Sequence, residues 1–204
     1  MHCFDTFIRD GLTGFECCGR GALVIGVGHI GSQIVDMAQG LKMTVKGVDI
    51  AQKPAHLEYV SLTEGIPWAD VIFCAASLTP QTTGMLNYEL LQHAKAGAIV
   101  INVARGEISP IRDLKKLLDE GILGGLSLDV YSEENVLADG LRGHSTASQS
   151  NIQGILELKD RDNVLFTPHN AFNTQEALME KVRLSTQAVK MFLKTGIFPK
   201  RVFP

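Results

Sequence analysis

Short apolar runs recur along the chain at Ala22 to Val27, Thr44 to Asp49, Val71 to Ala75, Ile99 to Val103, Gly125 to Val130 and Val164 to Thr167. Apolar runs of this length, set between helical patterns, predict the strands of a mainly parallel sheet. The stretches between them carry helical spacing instead. Ile30 to Leu41, Tyr88 to His93 and Ile111 to Asp119 read as helices, with Leu114, Leu117 and Leu118 sharing one face of the last. Pro110 leads that helix, and its fixed φ and missing N–H suit a helix start. Strands alternating with helices predict βαβ units and a doubly wound α/β fold. Two stretches stand outside the alternation. Leu137 to Gly154 (LADGLRGHSTASQSNIQG) is polar and irregular and predicts a long surface loop, whereas Gln175 to Leu193 is amphipathic and predicts a long helix leaving the sheet.

Composition narrows the classes without choosing among them. With 204 residues, 45% of them apolar and 20% charged, the chain can bury about 70% of the surface its unfolded form exposes. The net charge is -3 and no block of like charge favours a polyanion. No apolar run approaches the roughly 18 to 20 residues of a membrane span. The opening MHCFDTFIRD lacks the basic and apolar regions of a signal peptide. A cytoplasmic protein that binds neither nucleic acid nor membrane is expected. Cys3, Cys17, Cys18 and Cys74 show no metal-ligand spacing, so the expectation is reduced thiols and no metal site.

The first strand runs into Gly26, Gly28 and Gly31, a Gly-x-Gly-x-x-Gly that then opens a helix. In that setting the glycines let the backbone turn tightly, approach a pyrophosphate and aim the helix N-terminus at its charge. A structural alternative is a tight strand-helix junction with an aspartate capping a strand. Asp49 argues against it. It ends the second strand, 21 positions after Gly28, where a carboxylate can accept the hydroxyls of an adenosine ribose and repel a 2′-phosphate. Lys53 weakens that repulsion only slightly, and NAD is expected over NADP.

Three later segments carry candidate chemistry. INVARGEIS puts Asn102 and Arg105 at the carboxyl end of a strand, where open α/β sheets bind ligands. A guanidinium suits a planar carboxylate because it offers parallel donors, although a surface ion pair is the ordinary role of an arginine. LSLDVYSEE puts Asp129 at the next strand end with Glu134 just beyond, and NVLFTPHNAFNT puts His169 after Pro168 at another. A histidine and a carboxylate from different strand ends can form an oriented acid-base pair. The other histidines, His2, His29, His56, His93 and His144, have no such setting.

In their order these segments resemble the NAD-dependent D-2-hydroxyacid dehydrogenases. The resemblance runs through GVGHIG, Asp49, ADVIFCAASLTPQTTGMLN, AKAGAIVINVARGEI, GGLSLDVYSEE and NVLFTPHNAFNTQEAL, from about Ala22 to the end of the chain. GVGHIG, the long segment between Glu134 and His169, and TPHNAF followed by TQEAL look most like the D-lactate dehydrogenase branch. The resemblance implies that Arg105 binds the substrate carboxylate and carbonyl, His169 exchanges the proton, Glu134 orients His169 and Asp129 lies near the nicotinamide. It implies cofactor contacts from Gly26, Gly28, His29, Ile30, Gly31, Asp49, Ala76, Ser77, Thr82, Val103, Ala104, Arg105 and Asp129. Two positions depart from the family's pattern. Ser77 and Asn135 stand where proline is common, which bears on loop geometry and leaves the catalytic set in place.

The resemblance also implies a dinucleotide-binding domain over residues 1–170 and a C-terminal segment of a substrate domain over 171–204. Family members carry about a hundred residues before the glycine motif, and here 21 precede Ala22. The expectation is a cofactor domain with the last pieces of a second domain, binding NADH but turning over 2-oxo acids very slowly or not at all by itself. Family dimers join through their cofactor domains, so a homodimer acting on a small 2-hydroxy or 2-oxo acid is expected. The alternative is an NAD-sensing, corepressor-like module on the same fold, because fold does not fix function.

Overall fold

The computed structural model describes residues 14–142 and 150–198. They fall into two compact units, the first ending at Pro168 and the second beginning at His169. The first unit holds a seven-stranded sheet in the order β3-β2-β1-β4-β5-β6-β7. Its strands are β1 (Gly21–Ile25), β2 (Thr44–Val48), β3 (Glu58–Tyr59), β4 (Val71–Cys74), β5 (Ala98–Asn102), β6 (Leu123–Leu128) and β7 (Val164–Phe166). Every neighbouring pair is parallel. All the carboxyl ends therefore lie along one edge.

The doubly wound α/β fold follows from the apolar runs, which feed both faces of the sheet. In β1, Leu23 and Ile25 join one buried cluster with residues of β4, β5, β6 and α4 (Ile111–Asp119), while Ala22 and Val24 join another with α1 (His29–Gly40). Ile34, Val35 and Ala38 of α1 are buried at helical spacing. On α4 the buried face is Ile111, Leu114, Leu117 and Leu118. Its outer face carries Lys115, paired with Asp119 one turn on, the kind of pair that supports an exposed helix.

Two short elements escape the hydrophobic pattern. β3 has two residues and α2 (Leu62–Gly65) one turn. The helix is nonetheless written in SLTE, because Ser61 Oγ accepts from the Glu64 N–H at 3.3 Å and Glu64 Oε2 accepts from the Ser61 N–H at 2.9 Å, a reciprocal cap. The helix expected at Tyr88 to His93 is a single turn, α3 (Tyr88–Leu91).

The surface loop expected from Leu137 to Gly154 is a misreading where the structure describes it. Leu137 lies in α5 (Glu134–Leu141) and Gly154 in α6 (Ser150–Leu158); residues 143–149, with His144, lie outside the described residues, as do His2 and Cys3. Buried Leu137, Ile155 and Leu158 explain the difference. Packing of a few apolar positions outweighs the weak intrinsic helix preference of Gly and Asn.

In the second unit, α7 (Gln175–Thr195) starts where Thr174 Oγ1 accepts from the Ala177 N–H at 3.1 Å. It stops at Gly196, whose φ of 71° makes it a left-handed helix end. None of its residues is buried. Among the described residues no helix is long and apolar enough to cross a membrane, and no group of His, Cys, Asp and Glu could hold a metal. Cys17, Cys18 and Cys74 are free thiols; burial pushes the Cys74 thiol up to about 11.

Candidate active site

The chain runs from β1 outward to β2 and β3, then crosses back to place β4 on the other side of β1. Between β1 and β4 the winding reverses, and ligands of open parallel sheets bind at that crevice. The Gly26 to Gly31 turn sits there, between β1 and α1.

Its three glycines do different work. Gly26 has φ +85°, and a Cβ on it would stand 2.5 Å from Ala76 Cα, so the turn and the loop after β4 touch backbone to backbone. A Cβ on Gly31 would strike the Gly26 carbonyl oxygen, so this position sets how closely α1 approaches the turn. Gly28 differs, since a Cβ there would meet nothing within 4 Å. It is the N-cap of α1, with no side-chain cap and no acidic residue in the first turn. Uncapped N–H groups beside open space fit an anion, and the pyrophosphate of a dinucleotide is such an anion. His29 and Ile30 open that turn and are exposed.

Asp49 follows β2 directly. Its Oδ2 accepts from the Val27 N–H at 2.7 Å and its Oδ1 from the Ala51 N–H at 2.8 Å. The carboxylate thus braces the glycine turn and keeps further lone pairs for a ribose hydroxyl.

Beyond β4, Thr82 shapes the loop that carries Ala76 and Ser77. Its hydroxyl donates to the Ser77 carbonyl at 2.7 Å and accepts from the Thr79 N–H at 2.8 Å. Ser77 is exposed and Ala76 half-buried.

The β5 end is held by Asn102, which is fully buried. Its Nδ2 donates to the Arg105 carbonyl at 2.9 Å and to Ser109 Oγ at 2.7 Å, and its Oδ1 accepts from the Ala104 N–H at 2.8 Å. These bonds turn Val103, Ala104 and Arg105 out of the strand. Arg105 is exposed, and its Nη1 donates to the Ala104 carbonyl at 2.6 Å. Gly106 follows in a short 3-10 turn, Gly106–Ile108, where a Cβ would strike the backbone of Tyr131 and Ser132. The Arg105 corner therefore lies against the loop after β6.

On that loop Asp129 is buried, 5% exposed, and accepts from the Thr167 hydroxyl at 2.6 Å. Glu134 Oε1 accepts from the Tyr131 N–H at 3.1 Å. Burial, with the charges of Asp129 and Glu134, pushes the Tyr131 phenol up to about 12. Arg105 and Asp129 thus stand on adjacent loops of the first unit, with Glu134 at the start of α5 and Gly26, Gly28, Gly31, Asp49, Ala76, Ser77 and Thr82 along the same edge. His169 opens the second unit at φ +49°, with its ring edge-on to Phe172 at 5.8 Å between centroids.

Gly106, Ser109, Tyr131 and Thr167 were not singled out from the sequence. The one available signal was their spacing, immediately beside Arg105, Glu134 and His169. Bonds from buried side chains to backbone leave no periodicity to read.

A parallel sheet with a glycine turn at its switch point and an acid closing the second strand defines a dinucleotide-binding domain. More narrowly, residues 5–171 match the family described as D-isomer specific 2-hydroxyacid dehydrogenase, NAD binding domain, and the chain belongs to it. It is 36% identical over 179 residues to a D-lactate dehydrogenase of Lactiplantibacillus plantarum, covering 85% of this chain and 52% of that protein. It is 32% identical to a glyoxylate reductase of Pyrococcus furiosus, covering 91% of this chain and 56% of that protein. Among solved structures, D-lactate dehydrogenase from Aquifex aeolicus complexed with NAD and lactic acid superposes with a TM-score of 0.84 at 29% identity, covering 98% of this chain and 63% of that one. The chain thus spans about half the length of the curated relatives it matches.

Proposed function

We propose that the protein is an NAD-dependent oxidoreductase that interconverts a small 2-oxo acid and its D-2-hydroxy acid, with pyruvate and D-lactate the leading pair. The observation that carries this reading is the alignment of an anion-ready glycine turn, Asp49, Arg105 and Glu134 along one sheet edge in a chain of this family. Bound NAD(H) supplies or takes up the hydride at the substrate's second carbon. The residues of the chain do the rest. Arg105 offers its planar fork to the substrate carboxylate and offsets negative charge growing on the carbonyl oxygen. His169 delivers a proton to that oxygen as the alcohol forms and removes it in the reverse direction. Glu134 orients the His169 imidazole, and Asp129 lies beside the nicotinamide. His29, Ile30, Ala76, Ser77, Thr82, Val103 and Ala104 complete the cofactor contacts. We assign residues 1–170 to cofactor binding and 171–204 to the substrate domain, and place the protein in the cytoplasm as a homodimer.

The test follows NADH absorbance with a panel of 2-oxo acids in a protein that carries this chain together with a complete substrate domain. Turnover that falls by about a hundredfold to ten-thousandfold in His169→Ala is the expected result. NADH binding without turnover on any 2-oxo acid would favour the sensing module.

A further inference from the structure

The ends of β6 and β7 converge on one side chain to which the proposed chemistry gives no role. Tyr131 stands two residues after Asp129 and three before Glu134. Its N–H donates to Glu134 Oε1 at 3.1 Å. Its Cα lies 2.6 Å from where a Cβ on Gly106 would be, so the corner beside Arg105 rests on its backbone. Its hydroxyl lies 2.8 Å from the Thr167 carbonyl oxygen and 3.1 Å from that of Leu128, one proton shared between two acceptors. Its ring meets Phe166 edge-on, with centroids 5.8 Å apart. The sheet's own pairing of β6 with β7 closes with the Thr167 N–H donating to the Leu128 carbonyl at 3.0 Å. The phenol extends that pairing by one more carbonyl.

We infer that Tyr131 is a positioning residue, whose hydroxyl ties the end of β7, where the chain turns into the His169 segment, to the end of β6, from which the chain runs on to Glu134. This rests on the roles proposed above for Glu134 and His169. Phenylalanine would fill the same space and keep the contact with Phe166, so packing does not account for the hydroxyl. With its acidity suppressed by burial and by two neighbouring carboxylates, the phenol stays a donor throughout the working pH range. Thr167 is fixed from its other side as well, since its hydroxyl donates to Asp129. A carbonyl gripped by the phenol and a hydroxyl bound to Asp129 leave Thr167 little freedom two residues before His169.

The test is nitrogen-edited NMR of the histidine rings in the 204-residue chain, comparing wild type, Tyr131→Phe, Glu134→Gln and Phe166→Leu. His56 and His93 report whether the fold is kept. The expected result is that Tyr131→Phe and Glu134→Gln each displace the His169 ring signals, while Phe166→Leu leaves them in place. A His169 signal moved by Glu134→Gln but not by Tyr131→Phe would overturn the positioning role and leave the acid-base reading standing. Movement by Tyr131→Phe alone would support the positioning role and remove Glu134 from its own. No movement in either would overturn both. Should Tyr131→Phe lose the fold, Phe166→Leu decides: displacement of His169 there would make ring packing the positioning element and overturn the inference, and no displacement would support it.

Discussion

Around β1 and β2 the edge of the sheet is shaped by side chains that are missing, whereas around β5, β6 and β7 it is held by side chains that bond to backbone. In the first region Gly26 and Gly31 allow contacts that any Cβ would block, and a helix start without a cap faces open space at Gly28. In the second, Asn102 knots the turn before Arg105, Tyr131 spans two strand ends, and Thr167 is pinned to Asp129. The difference suits the two tasks proposed for these regions. A pyrophosphate is recognised by backbone N–H groups and needs room. A proton and a carboxylate must be met by side chains held to within a fraction of an ångström.

The largest expected effect breaks the first region from inside. Gly26→Ala combines a left-handed backbone with a clash against Ala76 and should cost about 3 to 5 kcal/mol in urea denaturation. Gly28→Ala should cost only about 1 kcal/mol, because it meets nothing and merely weakens an N-cap. It should nonetheless weaken NADH binding. Equal destabilisation by the two would show that the glycine turn is a packing device throughout.

The next effect breaks the second region. Asn102→Ala strips three hydrogen bonds from a fully buried site and should cost about 2 to 3 kcal/mol in the same measurement. A loss below about 0.5 kcal/mol would mean that the Arg105 turn holds without it.

These two regions were unequally legible in the sequence, for a physical reason. A backbone-built site shows itself through glycine spacing, because glycine is needed wherever a Cβ cannot fit, so GVGHIG and Asp49 could be read together. Apart from β3, the strands were legible as short apolar runs, and α4 was legible through burial at helical spacing. Asn102, Tyr131 and Thr167 act through single bonds between strand ends far apart in the chain, which have no period, and Asn102 was visible only as a neighbour of Arg105. α6 was missed because its buried Ile155 and Leu158 lie at the end of a polar stretch. The Asp49 bond to Val27 could not be foreseen either, since a carboxylate suited to a ribose reads the same whether or not it also braces a turn.

A smaller effect sharpens the second region through pH. The Tyr131 phenol is raised from 10.0 to about 12, first by burial and then by Asp129 and Glu134. The folded state therefore favours the neutral phenol. That contribution is fully present below pH 10 and is lost as pH rises from 10 to about 12. Tyr131→Phe should cost about 1 kcal/mol near neutrality, and the gap to wild type should shrink across that window. A gap independent of pH would mean that the phenol ionises as freely in the folded chain as in the unfolded one.

The glycine turn is proposed to hold the pyrophosphate of a dinucleotide and Asp49 its adenosine ribose, and fluorescence titration of the wild-type chain and Asp49→Ala with NADH and NADPH tests this most directly. NADH should bind at least about tenfold more tightly than NADPH to the wild type, a difference of about 1.4 kcal/mol, and Asp49→Ala should narrow the gap. Equal affinities in the wild type, or a gap untouched by the substitution, would contradict it and leave Asp49 as a brace for the turn.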